Sequence, residues 1–301
     1  MMGKNTKIWL LIAASLILTG CLIFGGVMTM LNWDFAKLST HKYETNQYSI
    51  SEKFDSISIT ADTADIIFLV SENDSVSVTC KEREKEKHSV FVEDGTLVIK
   101  LEDNRKWYDY ISIHLGSPKI TVSLPQGAYN ALNISSHTGD IEIPQQFSFA
   151  SADISLSTGD VNCQASTTEK LKIQTSTGDI TVKNLSAGEL ELQVSTGRTV
   201  LTDVQCNALV STGNTGNVCL RNVIATEKLS IERSTGDVTF DRCDAGEIVV
   251  KTDTGDITGS LLSGKIFLPE SDTGKVDVPR TTTGGKCRLS TNTGDIKISI
   301  P

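Results

Sequence analysis

The sequence has few aromatic residues and very little proline. Phe, Trp and Tyr make up 6% of the 301 residues, and there are only 6 prolines against 23 glycines, a balance typical of short strands joined by turns. Acidic residues are absent from the first 31 positions, where Lys4 and Lys7 are the only charged side chains. All 37 acidic residues and 26 of the 28 basic ones come later, so residues 32–301 carry a net charge of −11. Without a basic face, the chain is not expected to have a nucleic-acid partner.

One long run has no charge. It extends from Ile8 to Leu31, and about 20 apolar residues are enough to cross a bilayer, so residues 8–31 are predicted to form a transmembrane helix. Lys4 and Lys7 precede this run and Asp34 follows it. Because basic residues favour the cytoplasmic side, residues 1–7 are expected to be a cytoplasmic tail. The expected location is the cell membrane, with a single pass and an extracellular C-terminal domain.

A cleaved signal is the alternative for this segment. Leu18-Thr19-Gly20-Cys21 resembles a bacterial lipobox, in which the cysteine is lipidated after cleavage. Ten uncharged residues follow Cys21, however, where a mature lipoprotein usually turns polar at once, and the apolar region of a signal peptide is shorter than this run. An uncleaved anchor is therefore favoured over a lipoprotein.

The rest of the chain is dominated by a repeat of Thr-Gly-Asp or a close variant. Successive glycines of the repeat are 19 or 20 residues apart. They are Gly139, Gly159, Gly178, Gly197, Gly216, Gly236, Gly255, Gly274 and Gly294. A fixed period of this length is the signature of a repeat architecture.

Apolar residues alternate with polar ones on both sides of each glycine. Two residues after it stand Ile or Val in every copy except one, where Thr199 takes the place. Period-two alternation indicates strands with one buried face, and a unit this short buries that face only by stacking on its neighbours. The predicted fold is all-β: a single-stranded, parallel β-solenoid (β-helix) of about 19–20 residues per coil, right-handed because parallel crossovers almost always are.

Each coil is expected to be strand, Thr-Gly-Asp turn, strand and a looser polar connection such as residues 184–188. Glycine allows a positive φ in the turn, the aspartate bonds the local backbone, and the threonines form an inward or rim ladder of hydroxyls. A calcium ladder is the alternative reading of the repeated carboxylates, which are Asp140, Asp160, Asp179, Asp237, Asp256 and Asp295. Arg198, Asn217 and Lys275 interrupt that column, so no metal is predicted.

The region before the repeats is less regular. Residues 32–49 are expected to be a spacer, residues 50–130 irregular N-terminal coils and a cap, and residues 131–301 the regular solenoid. Residues 58–66 look like a degenerate first coil, and further strands are expected at 75–79, 89–92, 96–101, 111–115 and 120–124. The highly charged residues 81–88 are expected to form a solvated, projecting loop.

No catalytic residue and no cofactor site is predicted. Cys163, Cys243 and Cys287 fall on inward columns, and neighbouring coils never share a cysteine at one offset, so free thiols are favoured over disulfides. The four histidines have no ligand spacing, which argues against zinc. One aromatic group, Trp107, Tyr108 and Tyr110, is a candidate binding patch for a sugar or peptide, with packing of the cap as the alternative.

With the repeats aligned, the chain resembles a bacterial family known as putative adhesins, a domain of unknown function. The resemblance rests on the anchor segment and on the repeats Ser157–Val161, Ser176–Ile180 and Ser234–Val238. It implies a non-enzymatic, membrane-anchored extracellular surface protein, an adhesin or scaffold that binds an envelope polymer. The alternative is an accessory or regulatory protein of a cell-envelope stress-response system that binds another membrane protein. A polysaccharide-active β-helix enzyme is less favoured, because the coils offer a ladder of acids rather than a cluster.

Overall fold

The computed structural model describes residues 3–34, 43–104 and 116–301. Its one helix, α1, spans Lys4–Met30 and starts before the apolar run, which shows that the polar residues ahead of the run are helical as well. Within it, Thr6–Met30 is long and apolar enough to cross a membrane, with a mean hydropathy of 2.4. Cys21 lies inside this helix and is exposed.

Apart from α1, the regular structure of the described residues is β. The strands before the regular repeats are β1 Tyr43–Ile50, β2 Ser56–Thr60, β3 Asp65–Val70, β4 Val76–Arg83, β5 Glu86–Glu93, β6 Thr96–Asp103 and β7 Lys119–Leu124. Those of the repeats are β8 Gly127–Thr138, β9 Ile141–Ile143, β10 Phe147–Thr158, β11 Val161–Cys163, β12 Ser166–Thr177, β13 Ile180–Thr196, β14 Thr199–Thr215, β15 Val218–Thr235, β16 Val238–Thr254, β17 Ile257–Leu261, β18 Ile266–Thr273, β19 Val276–Asp277, β20 Lys286–Thr293 and β21 Ile296–Ser299.

The repeats stack as a parallel β-solenoid, which confirms the predicted fold class. Each strand pairs with its counterpart one coil away, so that Ile154 lies in register with Ile134 on one side and Ile173 on the other. Inward side chains therefore form continuous columns. Leu171 and Leu190, for example, are adjacent in one column and at most 1% exposed. Burial of these apolar columns is the main favourable term in the stability of the fold.

The connection that was expected to be loose is regular β-structure. It forms a third side of the coil, after the side that precedes the Thr-Gly-Asp turn and the side that follows it. Strand β13 continues through residues 184–188, where Leu185 and Ala187 point inward and are buried. The preceding corner is made by Asn184, whose φ is +54°, and the same corner recurs in the next coils. Asparagine tolerates this left-handed conformation better than most residues. This strand was not predicted from the sequence, because its alternation consists of only two inward residues.

The 20-residue step from Gly216 to Gly236 has a local explanation at the last corner of the coil. Between β14 and β15 the register shifts after Cys206, so that Thr226 and Glu227 occupy the space of Asn207 alone. The extra residue is thus absorbed as a bulge away from the Thr-Gly-Asp turn. The turns stay aligned although the repeat length varies.

The last two coils are stacked out of sequence order. Strand β20 pairs with β16 on one side and with β18 on the other, and β21 likewise lies between β17 and β19. The final segment is therefore inserted between the coil of Gly255 and the coil of Gly274, which forms the end of the stack. Equal spacing of the repeats carries no information about this exchange.

The N-terminal strands begin the stack and then close it. Strands β2 and β3 pair in parallel with β8 and β9, and Ala64 takes the place of the turn glycine, as the degenerate first coil predicted. Strands β6 and β7 lie on their other side. Beyond them the pairing becomes antiparallel, β5 with β6, β4 with β7 and β1 with β4. The expected strand at 111–115 lies outside the described residues.

The prediction of a projecting loop at residues 81–88 is wrong. Residues 81–83 end β4, residues 84 and 85 form a turn and residues 86–88 begin β5, so the two strands meet in a hairpin where Arg83 pairs with Glu86. Glu82, Arg83, Glu86 and His88 are all buried, at 1%, 7%, 6% and 5% exposure. The charges are accommodated because they pair with one another: Arg83 donates to both carboxylate oxygens of Glu86, at 2.9 and 3.1 Å.

All seven cysteines are free thiols. Cys163, Cys243 and Cys287 are buried on inward columns, as predicted, and Cys80 and Cys206 are buried as well. Burial in the apolar interior raises the pKa of the Cys163 thiol to about 12, so this thiol is protonated and unreactive at neutral pH. Cys219 is exposed.

Candidate functional site

The Thr-Gly-Asp turns of the nine coils lie side by side and form one continuous edge of the solenoid. We call it the Thr-Gly-Asp edge; it consists of the nine turn glycines with the residue before and the residue after each. At the strand spacing of about 4.8 Å, nine coils make an edge roughly 40 Å long. The order of glycines along it ends Gly255, Gly294, Gly274.

Glycine is required in this turn for two reasons. At Gly178 φ is +138°, a conformation that side chains rarely adopt. A Cβ at this position would also lie 1.9 Å from the carbonyl oxygen of Gly159 in the preceding coil. The same close approach recurs at Gly216, whose Cβ would lie 1.9 Å from the carbonyl oxygen of Gly197. The backbones of successive turns are thus packed directly on each other.

The threonines of the edge point outward. All nine are exposed and lie in register with one another, so the expectation of an inward column is wrong and that of a rim column is right. Inward hydroxyls occur three residues before the glycine instead. Thr175 and Thr252 are 1% exposed and donate to the carbonyl oxygens of Gly159 and Gly236, at 3.4 and 3.2 Å.

The aspartates connect one coil to the next. Oδ1 of Asp140 accepts a hydrogen bond from the backbone N–H of Asp160 at 2.9 Å, and the pattern repeats along the edge. Each of the six aspartates makes this bond, and Asn217 makes it too, through its amide oxygen to the N–H of Asp237. The carboxylates therefore bond the backbone of the neighbouring coil rather than their own turn.

Asp179 faces Arg198, which replaces aspartate in the next coil. The guanidinium donates from Nε and Nη2 to Oδ2, at 3.0 and 2.7 Å, while the backbone N–H of Arg198 donates to Oδ1 at 2.7 Å. Partial burial opposes ionisation of the Asp179 carboxyl, but these hydrogen bonds and the positive charge outweigh it and lower its pKa. This break in the acidic column is thus an ion pair along the edge.

A cation that was not predicted from the sequence lies buried inside the solenoid. Arg233 is 2% exposed, and its guanidinium donates to the hydroxyls of Thr199 and Ser211, at 2.9 and 3.0 Å. Gly213 makes room for it, since a Cβ there would lie 3.0 Å from Nη1. Burial lowers the pKa of Arg233 to about 10. Two residues after the turn glycine, each of the other coils has Ile or Val, so Thr199 is the feature of the sequence that could have indicated a buried polar partner here.

The edge presents threonine hydroxyls at a fixed spacing over its full length, and aspartate carboxylates in six of its nine coils. Such an array has no nucleophile paired with a base and no enclosed pocket for a small substrate. It can offer many equivalent hydrogen bonds to a long partner whose own polar groups repeat. The aromatic group Trp107, Tyr108 and Tyr110, the other candidate from the sequence, lies outside the described residues.

The protein is an all-β repeat protein. Its parallel solenoid carries the Thr-Gly-Asp edge and is preceded by an N-terminal apolar helix. The chain belongs to the family described as Toastrack DUF4097, whose profile matches residues 54–222 and 204–301. None of the curated proteins matches the chain significantly.

Solved structures are similar in fold. A putative adhesin from Parabacteroides distasonis is 12% identical with a TM-score of 0.51, and a putative lipid binding protein from the same organism is 18% identical, also with a TM-score of 0.51. Each comparison covers 87% of this chain and 98% of the other. A putative adhesin from Bacteroides fragilis is 16% identical with a TM-score of 0.46, covering 86% of this chain and 97% of the other. The likeness to the two Parabacteroides distasonis proteins, at 12% and 18% identity, shows the fold alone.

Proposed function

We propose that this chain is a non-enzymatic surface protein, anchored by α1 with its solenoid outside the cell, and that the Thr-Gly-Asp edge binds a repeating, hydroxyl-rich polymer of the envelope. The observation that carries the proposal is the exposed column of nine threonines in register. A single threonine contributes little, but equivalent contacts along one polymer add through effective concentration. The name adhesin, given to a structural neighbour from Parabacteroides distasonis, agrees with a binding role.

The proposed anchor and orientation are supported by α1 and the residues around it. The stretch Thr6–Met30 is long enough to span a bilayer. Basic residues at its start, Lys4 and Lys7, favour a cytoplasmic N-terminus, and the acidic solenoid follows on the other side. Protease added to intact, wall-permeable cells should remove the solenoid. Survival of the full-length chain until lysis would contradict this orientation.

Binding can be tested with three adjacent threonines of the edge. In the triple variant Thr177→Val, Thr196→Val and Thr215→Val the β-branched shape is kept and only the outward hydroxyls are lost. The full-length protein in nanodiscs is incubated with purified wall polysaccharide and with intact sacculi, and sedimentation measures the bound fraction. The variant should bind at least about tenfold more weakly, because contacts along one polymer multiply.

The control changes three threonines on another side of the coil, Thr181→Val, Thr202→Val and Thr239→Val, which alternate with buried neighbours; Thr239 is exposed, and Thr181 and Thr202 are half-buried. Equal loss of binding in both triple variants would show that the polymer binds the solenoid surface in general rather than the Thr-Gly-Asp edge. Absence of binding to any envelope polymer, together with capture of a membrane protein by crosslinking through α1, would favour the accessory role instead.

A further inference from the structure

The N-terminal hairpin contains a buried group of metal-ligating side chains that no repeat column explains. Cys80 and Glu82 lie on the same face of β4, and His88 lies on β5. They are 0%, 1% and 5% exposed, and their potential ligand atoms all lie within 4.8 Å of one another. We propose that Cys80, Glu82 and His88 bind a divalent transition-metal ion, with Zn²⁺ the best match to the ligand set.

The carboxylate of Glu82 is held in position by its neighbours. Asn46 of β1 donates to Oε1 at 2.6 Å, and the backbone N–H of His88 donates to Oε2 at 2.7 Å. Tyr48, also on β1, donates from its hydroxyl to the carbonyl oxygen of His88 at 2.9 Å. Outer hydrogen bonds of this kind orient the ligands of a metal site and restrict their rotation.

The imidazole of His88 is incompletely satisfied by protein groups. Its Nδ1 lies 2.8 Å from Oε2 of Glu82. Its Nε2 is buried and has no hydrogen-bond partner among the residues that the structure describes. A polar atom buried without a partner is costly. An ion bound through Nε2 would give that nitrogen its missing partner, whereas an ion bound through Nδ1 would take the place of the hydrogen bond to Glu82.

The charges are suited to a divalent ion. Binding of Zn²⁺ would release the thiol proton of Cys80 to solvent, because the thiolate is the ligand. The resulting thiolate, a carboxylate and a neutral imidazole around Zn²⁺ sum to zero, which removes the cost of burying an unpaired charge. The nearby cation, Arg83, is already neutralised by Glu86. Thiolate and imidazole are ligands that Zn²⁺ prefers, whereas Ca²⁺ and Mg²⁺ prefer oxygen. Three protein ligands leave one position for water.

An ion here would join two strands that otherwise diverge. Strands β4 and β5 pair with each other only at Arg83 and Glu86, after which β4 pairs with β7 and β5 pairs with β6. A metal between Cys80 and His88 would tie the two sides of the cap together just beyond this point. The ion would thus stabilise the end of the solenoid that follows the membrane segment.

The test uses the purified full-length chain in detergent, stripped of metal and then titrated with Zn²⁺ or Co²⁺. Bound metal is measured by mass spectrometry of the elements, and Co²⁺ reports thiolate ligation through its near-ultraviolet charge-transfer absorption. About one ion per chain is expected. Cys80→Ser should abolish the thiolate band, and His88→Gln should weaken binding at least about tenfold. The matched controls Cys243→Ser, buried elsewhere, and Cys219→Ser, exposed, should bind as the unchanged chain does.

A second measurement avoids variants that fail to fold. In the unchanged chain, alkylation of each cysteine is followed over time by peptide mapping, with and without Zn²⁺. Zinc should slow modification of Cys80 at least about tenfold and leave Cys219 unaffected. No stoichiometric binding by the unchanged chain, an unaltered rate at Cys80, or a thiolate band that survives Cys80→Ser would each overturn the proposal.

Discussion

Oδ1 of Asp160 accepts a hydrogen bond from the backbone N–H of Asp179, at 2.7 Å, from the next coil of the solenoid. Asn217 makes the same bond through its amide oxygen. Asp160→Asn should therefore change the free energy of unfolding by less than about 0.5 kcal/mol, whereas Asp160→Ala, which removes the acceptor, should cost about 1 kcal/mol. Denaturant unfolding of the full-length chain measures both. Equal losses in the two variants would show that the negative charge, not the acceptor, matters.

The same bonds bear on the calcium alternative. Because one oxygen of each aspartate is engaged by the backbone, the column is explained as a structural ladder, and calcium should not raise the melting temperature beyond the screening that any divalent ion provides. Thermal melts in equal concentrations of Ca²⁺ and Mg²⁺ should coincide within about a degree. A rise of several degrees with Ca²⁺ alone, lost in Asp179→Asn, would restore the calcium ladder.

The turn glycines of the Thr-Gly-Asp edge are predicted to have a larger effect on stability. Gly178→Ala places a methyl group against the carbonyl of Gly159 at a positive φ, and should cost about 3 kcal/mol or more, or prevent folding. The matched control is Gly127→Ala in β8, where a Cβ would meet nothing within 4 Å. That variant should unfold at nearly the unchanged denaturant concentration. Similar stability of the two variants would mean that the turns are not packed as described.

The buried cation can be examined by a double-mutant cycle. Ser211→Ala removes one of the hydroxyls that accept from Arg233 and should destabilise the chain by about 1–3 kcal/mol, because it leaves a buried donor without a partner. In the background of Arg233→Met the same change should cost much less. The coupling, from unfolding of the four proteins, should exceed about 1 kcal/mol. A coupling near zero would indicate that water, rather than Ser211, solvates the guanidinium.

The regular part of the fold was readable from the sequence because its determinants are local and repeated. Gly178 and its counterparts fix the turn, and residues such as Leu171 fix the buried face, so period and alternation suffice. The outward direction of the threonines was not readable. Counting back from the glycine, the nearest inward side chain is that of Thr175, whereas Thr177 points outward, and alternation alone does not distinguish the two.

The N-terminal cap could not be predicted because its determinants are pairings between strands that no repeated pattern marks. A run with a charge at nearly every position is usually solvated, and nothing in the run reveals that Glu82 meets Asn46, 36 residues away, or that a buried hairpin pairs Arg83 with Glu86. The group formed by Cys80, Glu82 and His88 was missed for the same reason. Its members are brought together by a hairpin that the charge pattern argued against.

The insertion of β20 and β21 between two earlier coils constrains the order in which the solenoid can be completed. A ribosome delivers residues from first to last, so each coil up to that of Gly255 can be added onto a finished neighbour as it emerges. The coil of Gly274 cannot, because its strand β18 pairs with β20, which is synthesised later. Vectorial assembly therefore ends one coil early, and the end of the stack closes only once Lys286–Ser299 is available.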